Sequence, residues 1–314
     1  MIKIELESIN DLENNSYIKS ATPISKGKSG DQKYHIQAVD GGEYFLRTYD
    51  LKRHRRKKEE FRILKNLCAL GFPVAKPLEI DKCSDGAYTL TKWIDGVSMH
   101  ELIFKLEEEQ QYSFGVRASK ILRQMHAMKY NGTDDRYIAP KHMGRLLEKN
   151  KKQYEEANIP IKGMEEILAY VEETKHICEK RTKVRLIHGD YHWGNLMIAE
   201  GKLFVVDFEA HTYADPYCDF QMLVEFLLSD RSFCAIGYIH GYFDGREIEE
   251  DFFSLLSLYT GVYLTSKFSW VQKGFYASEK LEELYAYYLD HFIAPKAERP
   301  AWYIEKQDVQ KKFV

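Results

Sequence analysis

Three oxygen-bearing side chains, Asp190, Asn195 and Asp207, lie in or at the end of the stretch LIHGDYHWGNLMIAEGKLFVVD, residues 186–207. Around them, residues 184–187, 196–198 and 203–206 form short apolar runs with strand character, and Glu200-Gly201 separates the last two as a hairpin turn. With that tip, residues pair when their numbers sum to 401, which sets Asn195 opposite Val206 and diagonal to Asp207. Neighbouring strands lie about 4.8 Å apart and magnesium binds oxygen at about 2.1 Å, so one ion could bridge that end of the hairpin. Asp190, five residues before Asn195, falls in the preceding loop. Transfer from a magnesium-bound nucleoside triphosphate requires metal ligands that offset phosphate charge and a carboxylate that orients or deprotonates the acceptor hydroxyl. This stretch supplies both. Zinc held by His188 and His192 is disfavoured, because Gly189 opposes the helix such a pair would need and no third ligand is evident.

The pattern H-G-D-x-x-x-x-N, followed by a hydrophobic strand ending in D-F-E, resembles the catalytic and metal loops of the aminoglycoside phosphotransferase family, which shares its fold with protein kinases and choline kinase. The resemblance implies that Asp190 is the catalytic base or orienter, that His188 braces the loop, and that Asn195 and Asp207 hold magnesium. Asp215-Pro216 and Asp219 resemble the family's D-P-x-x-D segment, whose second aspartate bonds to the backbone of the catalytic loop. Glu209 is open to four readings: contact with metal, with water, with acceptor, or closure of the loop.

These residues need a scaffold, and the chain before them reads as one. Residues 25–31 (SKGKSGD) form a small polar loop, 33–39 a strand, 40–42 a turn and 43–49 a second strand. Gly27-Lys28-Ser29 imitates the end of a Walker A motif, but Thr22 stands where that motif needs glycine and a strand follows where it needs a helix. By resemblance this is the nucleotide-positioning loop, with Ser29 and Gly30 over the phosphates. The family's strand lysine for the α- and β-phosphates is replaced by Arg47 in YFLRT. Its expected partner is Glu60, with Glu59 the fallback, on a helix marked by Phe61, Leu64, Leu67 and Cys68 and ended by Gly71 and Pro73. The basic run LKRHRRKK, residues 51–58, reads as a solvated helix start. Residues 87–94 read as a strand leading to Asp95-Gly96, and the resemblance makes this the hinge. There the backbone of Lys92 and Ile94 would bond the adenine, with Thr91 behind it; ATP and GTP are not distinguished.

Beyond the hinge the periodicity is helical. Ala118, Ile121, Leu122, Met125 and Met128 share one face, His126 reads as a satisfied core residue, and 131–183 is charged and mostly helical. From Gln221 onward, Phe226, Tyr238, Tyr242, Phe252, Tyr259, Tyr263 and Trp270 interleave with Glu225, Asp230, Asp244 and Glu247. A stripe of that kind is core more often than substrate cage.

Composition sets the outer limits. The 314 residues are 44% hydrophobic and 30% charged with net charge -3, which fits a soluble globular protein and lacks the basic excess of nucleic-acid binders. Five scattered cysteines without C-x-x-C spacing read as reduced thiols of a cytoplasmic protein, and no signal-like or membrane-length apolar run stands out. Residues 1–95 sum to about +3 and residues 221–314 to about -4. The expectation is therefore an α+β, two-lobed kinase-like fold, with a small antiparallel-sheet nucleotide lobe over residues 1–95 and a mostly helical lobe over 96–314. Its activity would move the γ-phosphate of ATP or GTP, with Mg2+, to a hydroxyl of a small, possibly cationic acceptor, without nucleic-acid or membrane partners. An aminoglycoside or other antibiotic is the first acceptor implied by the resemblance. A choline, ethanolamine, sugar or amino-alcohol kinase is the alternative, and a non-catalytic nucleotide-binding protein is the rival from another class.

Overall fold

A computed structural model of the chain describes residues 6–9, 12, 14–25, 30–293, 299–306, 308–311 and 313. The chain separates into two compact units: Met1–Leu102 with Trp193–Glu209, and Ile103–His192 with Ala210–Val314. Ten strands run in chain order among the described residues: β1 Ile18–Pro23, β2 Gln32–Ala38, β3 Glu43–Tyr49, β4 Pro77–Lys82, β5 Ala87–Lys92, β6 Val97–Ser98, β7 Arg185–Ile187, β8 Leu196–Ala199, β9 Lys202–Val205 and β10 Thr212–Ala214.

In the first unit β1 to β5 form an antiparallel sheet in the order β1-β2-β3-β5-β4. Side chains alternate across a strand, so the register decides what each face carries. Ile36, Ala38, Tyr44, Leu46, Tyr88 and Leu90 make the buried apolar face. Lys33, Arg47 and Thr89 form one cross-strand row of the opposite face, and His35, Phe45 and Thr91 the next. Each fully buried leucine of the apolar face contributes roughly 1.5–3 kcal/mol, which anchors the sheet whatever its polar face binds. The helix His54–Ala69 turns Lys57, Glu60, Phe61 and Leu67 inward at three- and four-residue spacing and gives way to Gly71 at φ +74°.

A second sheet in this unit has the order β6-β8-β9. Its hairpin pairs Leu196 with Val205, Met197 with Phe204, Ile198 with Leu203 and Ala199 with Lys202, the register expected from the turn. Glu200 and Gly201 have φ of 49° and 71°, the signature of a two-residue turn that needs positive φ at both positions.

The second unit is mostly helical, with longer helices at Glu108–Met125, Ala139–Ala157, Met164–Thr174, Ser232–Phe243, Phe252–Leu264 and Ser278–Tyr288. The helix Glu108–Met125 stops there rather than continuing through Met128, whose carbonyl instead accepts the Leu186 N–H at 3.2 Å. The short pair β7 and β10 frames the loop that carries Asp190.

Candidate active site

A cavity of about 450 Å³ lies in the first unit. The polar sheet face supplies Lys33, Phe45, Arg47, Thr89 and Thr91; the helix supplies Lys57 and Glu60; the hairpin end supplies Asn195, Asp207 and Phe208. That volume is in the range of small-molecule sites.

Arg47 projects from β3 into a set of carboxylates. Its guanidinium lies 3.5 Å from Glu60 and 3.7 Å from Asp207. Burial disfavours its charge, yet Glu60 first, then Asp207, Asp31 and Glu209, more than offset that. Glu60 also meets Lys57 at 3.2 Å, and Lys57 reaches Asp31 at 3.1 Å and Glu209 at 3.6 Å. Arg53 bridges Asp31 and Glu209, while Arg56 donates to the Glu209 carbonyl at 2.6 Å. The solvated reading of the basic run therefore holds for Lys52, Arg55, Arg56 and Lys58, is half met at Arg53, and fails at His54 and at Lys57, which is 2% exposed. The reason is long-range. Besides the nearby Glu60, its partners come from residues 31 and 209, which nothing local in the sequence announces. Glu209 is thus engaged by three cations of the same unit.

At the hairpin end, the Val206 N–H donates to the Asn195 carbonyl at 3.0 Å, and Asp207 turns out of the strand with φ 61°, a conformation aspartate tolerates better than most residues. Asn195 and Asp207 therefore reach the same cavity from adjacent strand ends. Asp207 Oδ1 is buried and accepts no hydrogen bond. On the sheet, the Thr91 hydroxyl is likewise buried in the cavity wall without a hydrogen-bond partner. Beyond it the chain is pinned, with the Lys92 N–H on the Lys76 carbonyl at 2.9 Å and the Trp93 N–H on the Glu43 carbonyl at 3.1 Å. Trp93 and Ile94 line the cavity, and Trp93 stacks on His35 at 3.9 Å. Gly30 sits exposed in open space, and Ser29 lies outside the described residues.

The loop with Asp190 belongs to the second unit and is built around Asp219. Its two carboxylate oxygens accept the His188 N–H at 2.8 Å and the Gly189 N–H at 2.7 Å. One of them also meets His126 Nε2 at 3.0 Å, and His126 Nδ1 contacts the Tyr242 hydroxyl at 2.9 Å, so His126 is a core residue with both nitrogens engaged. Gly189 has φ +79°, and a Cβ there would collide with the Ala210 carbonyl, which leaves glycine as the residue that fits. Buried His188 stacks edge-on against Tyr191 and, through Nδ1, accepts the Asp190 N–H at 3.3 Å. Burial would raise the Asp190 pKa, but the His192 hydrogen bond and charge, followed by His188 and Lys267, outweigh it and hold the carboxyl at about 2. Asp215 is buried against Arg181 at 2.7 Å.

Most of the aromatic stripe is core: Phe226, Tyr238, Tyr242, Phe252 and Tyr259 are buried, and Tyr242 and Phe252 meet Phe220 edge to face at 4.9 and 5.3 Å. Tyr263 and Trp270 differ, for the Lys267 ammonium sits 4.3 and 3.8 Å from their ring centres and 3.2 Å from Glu225. Asp244 pairs with Lys120 and Arg123. Sequence reasoning missed Asp31, Lys57 and Lys33. A turn over residues 40–42 implies a pairing sum of 82; the observed sum is 80, which sets Lys33 opposite Arg47.

The profile of the phosphotransferase enzyme family matches residues 20–252, a span holding the cavity, the hairpin and the Asp190 loop. Solved structures with a similar fold include amicoumacin kinase hAmiN in complex with AMP-PNP, Ca2+ and Ami, at 15% identity and TM-score 0.66 over 91% of this chain and 95% of that one. A thermostable mutant of aminoglycoside phosphotransferase APH(4)-Ia, in ternary complex with ADP and hygromycin B, matches at 12% identity and TM-score 0.65 over 89% and 96%. A choline/ethanolamine kinase family protein from Mesorhizobium loti matches at 12% identity and TM-score 0.61 over 89% and 90%. Among curated proteins, acyl-CoA dehydrogenase family member 11 of Mus musculus is 23% identical over 204 residues, which is 61% of this chain and 25% of that protein. This chain thus aligns with about a quarter of that relative's length. With a family profile over most of its length and the kinase-like fold of the aminoglycoside phosphotransferases, the chain belongs to the phosphotransferase enzyme family.

Proposed function

We propose that the protein transfers the γ-phosphoryl group of ATP or GTP to a hydroxyl of a small molecule, with Asp190 orienting that hydroxyl and Asn195 and Asp207 as metal ligands. The observation that carries this reading is the meeting of Asn195, Asp207, Arg47 and Glu60 around one cavity. Magnesium suits such a donor pair, because it keeps several waters and phosphate oxygens and needs few protein ligands. The buried Asp207 Oδ1, which accepts no hydrogen bond, is an oxygen fitted to a cation. When bound, the ion would offset the charge of the phosphates. The Thr91 hydroxyl, the Lys92 carbonyl and the Ile94 main chain are the groups offered to the base.

In the proposed step the acceptor oxygen bonds to the γ-phosphorus, the bond from that phosphorus to the β-bridging oxygen breaks, and the nucleoside diphosphate leaves. With its pKa held near 2, Asp190 is a weak base. It therefore aligns the hydroxyl by accepting its hydrogen bond and takes up the proton late, as suits a loose transition state.

An antibiotic of the aminoglycoside kind is the first acceptor class, following the family. Glu225 and Asp244, two of the acids that would draw a polyamine, are already paired with cations of the chain. The proposed acceptor is accordingly a hydroxyl on a small molecule, with amino alcohols and sugars as the second class. The test is nucleoside diphosphate release from Mg·ATP and Mg·GTP across aminoglycosides, macrolides, choline, ethanolamine and simple sugars. Release that an acceptor stimulates and Asp190→Asn abolishes supports the proposal. Binding of nucleotide without release under any condition would defeat it.

A further inference from the structure

We infer that the acceptor of the proposed transfer is an uncharged, single-ring hydroxyl compound, held by His142 and Tyr259 in a second cavity beside Gly189. This deepens the proposed function and rests on it, and it sets sugars and cyclic polyols ahead of polycations.

The cavity lies within the second unit and measures about 210 Å³. Sites for drug-sized ligands run to roughly 300–1,000 Å³, so this one has room for one ring and not for several. Gly189 forms part of its wall, and Asp190 is the next residue along the chain. Gln221 lines the same space and donates through Nε2 to the Gly189 carbonyl at 3.3 Å, which ties the wall to the loop. A ring seated there lies beside the residue that precedes the proposed orienting carboxylate.

The lining decides the chemistry. Among the described residues no aspartate, glutamate, lysine or arginine takes part in it, so a charged ligand would be desolvated without a partner. The acids close by in sequence have partners in the chain: Asp219 accepts the His188 and Gly189 N–H groups, and Glu225 meets Lys267 at 3.2 Å. Met143, Leu146, Ile187 and Val262 supply apolar surface for the C–H face of a ring. Against these stand two polar residues of the same wall. The Tyr259 hydroxyl and His142 Nδ1 are buried, and neither has a hydrogen-bond partner among the described residues. Buried polar groups are nearly always paired, so two such atoms in one cavity call for a ligand that bonds both. Burial lowers the His142 pKa to about 4, which leaves its imidazole neutral at pH 7. Nδ1 then donates or accepts according to tautomer, and a hydroxyl, which does both, suits either.

The experiment follows ADP release from Mg·ATP by the full chain and by Tyr259→Phe and Leu146→Trp. The neutral probes are glucose, galactose and myo-inositol; the charged ones are glucosamine, kanamycin and choline. Glucosamine differs from glucose by an ammonium in place of one hydroxyl, so that pair isolates charge at nearly constant size. Tyr259→Phe removes a single hydroxyl, while Leu146→Trp adds bulk from a position that is 38% exposed, outside the packed core. A neutral ring is expected to exceed glucosamine in kcat/KM by about tenfold or more. Each variant is expected to raise the KM for that ring about fivefold or more, while ADP affinity, which reports the integrity of the fold, stays within about twofold. Preference for glucosamine or kanamycin over every neutral ring, or a KM unmoved in both variants, overturns the inference and leaves the cavity to water, with the phosphotransferase reading intact. Wild-type protein whose ADP release no compound stimulates defeats that reading, and the inference with it.

Discussion

Lys57 Nζ lies 3.1 Å from Asp31 Oδ2, with the two side chains 2% and 0% exposed. A pair this deeply desolvated is held by mutual attraction and by its other partners, Arg53 on the aspartate and Glu60 on the lysine. Removing one member leaves the other's buried charge with fewer partners. Asp31→Asn and Lys57→Ala should each lower stability by about 3–5 kcal/mol in urea unfolding. The double variant Asp31→Asn with Lys57→Met should lose much less than the sum. Strict additivity would show that the two residues do not act as a pair.

Asp219 accepts two main-chain hydrogen bonds from the loop that carries Asp190. Charge-assisted bonds of this kind contribute roughly 1.5–3 kcal/mol each. Asp219→Asn keeps the shape, loses the charge and offers an N–H where an acceptor is needed. Turnover should fall by on the order of 10²-fold as Asp190 shifts, since displacements of about 1 Å carry such penalties. ADP affinity should stay within experimental error of wild type. Equal losses in turnover and ADP affinity would mean that Asp219 supports the fold generally rather than the loop.

For Asp207→Ala, ADP binding measured with Mg2+ should weaken about tenfold or more, whereas binding in EDTA should move far less. Arg47, relieved of one of its two carboxylates, would if anything favour the metal-free nucleotide. Parallel losses with and without Mg2+ would remove Asp207 from the metal site.

Burial lowers the His142 pKa from 6.5 to about 4. The unfolded chain therefore binds a proton at pH 5 that the folded chain does not, and stability must fall as pH drops. The contribution is complete above about pH 6.5, is lost progressively between about 6.5 and 4, and levels off below, with an upper bound of about 3 kcal/mol. His142→Gln should flatten that part of the profile in pH-dependent urea unfolding. A wild-type profile level from pH 7 to 4 would contradict the assignment.

Where a turn fixed the arithmetic, the sequence was legible. Glu200-Gly201 dictated the hairpin register and hence the proximity of Asn195 and Asp207. The D-P-x-x-D resemblance carried over to the bonds that Asp219 makes. Helical spacing picked out Glu60, which does meet Arg47. Other elements were quieter. Strand β1 alternates poorly, ends in proline and is only partly buried, so it carries no clear period. Strand β6 has two residues and exists through its pairing with β8. The Asp31, Lys57 and Glu209 cluster joins positions far apart in the chain, and local composition made Lys57 look like one more solvated charge. Lys33 faces Arg47 because β2 and β3 pair at a sum of 80, two short of the 82 that a turn over residues 40–42 implies.

The first unit is assembled from two stretches, Met1–Leu102 and Trp193–Glu209, with residues 103–192 between them. During synthesis the sheet can form early, but β6 has no β8 to pair with, and neither Arg47 nor Lys57 has its hairpin-borne carboxylate, until the chain has been made to about Glu209. A ribosome-bound fragment ending before Trp193 thus carries a basic helix and an arginine still waiting for acids made later. The acids that complete the cluster, Asp207 and Glu209, are thus the last of its members to be made.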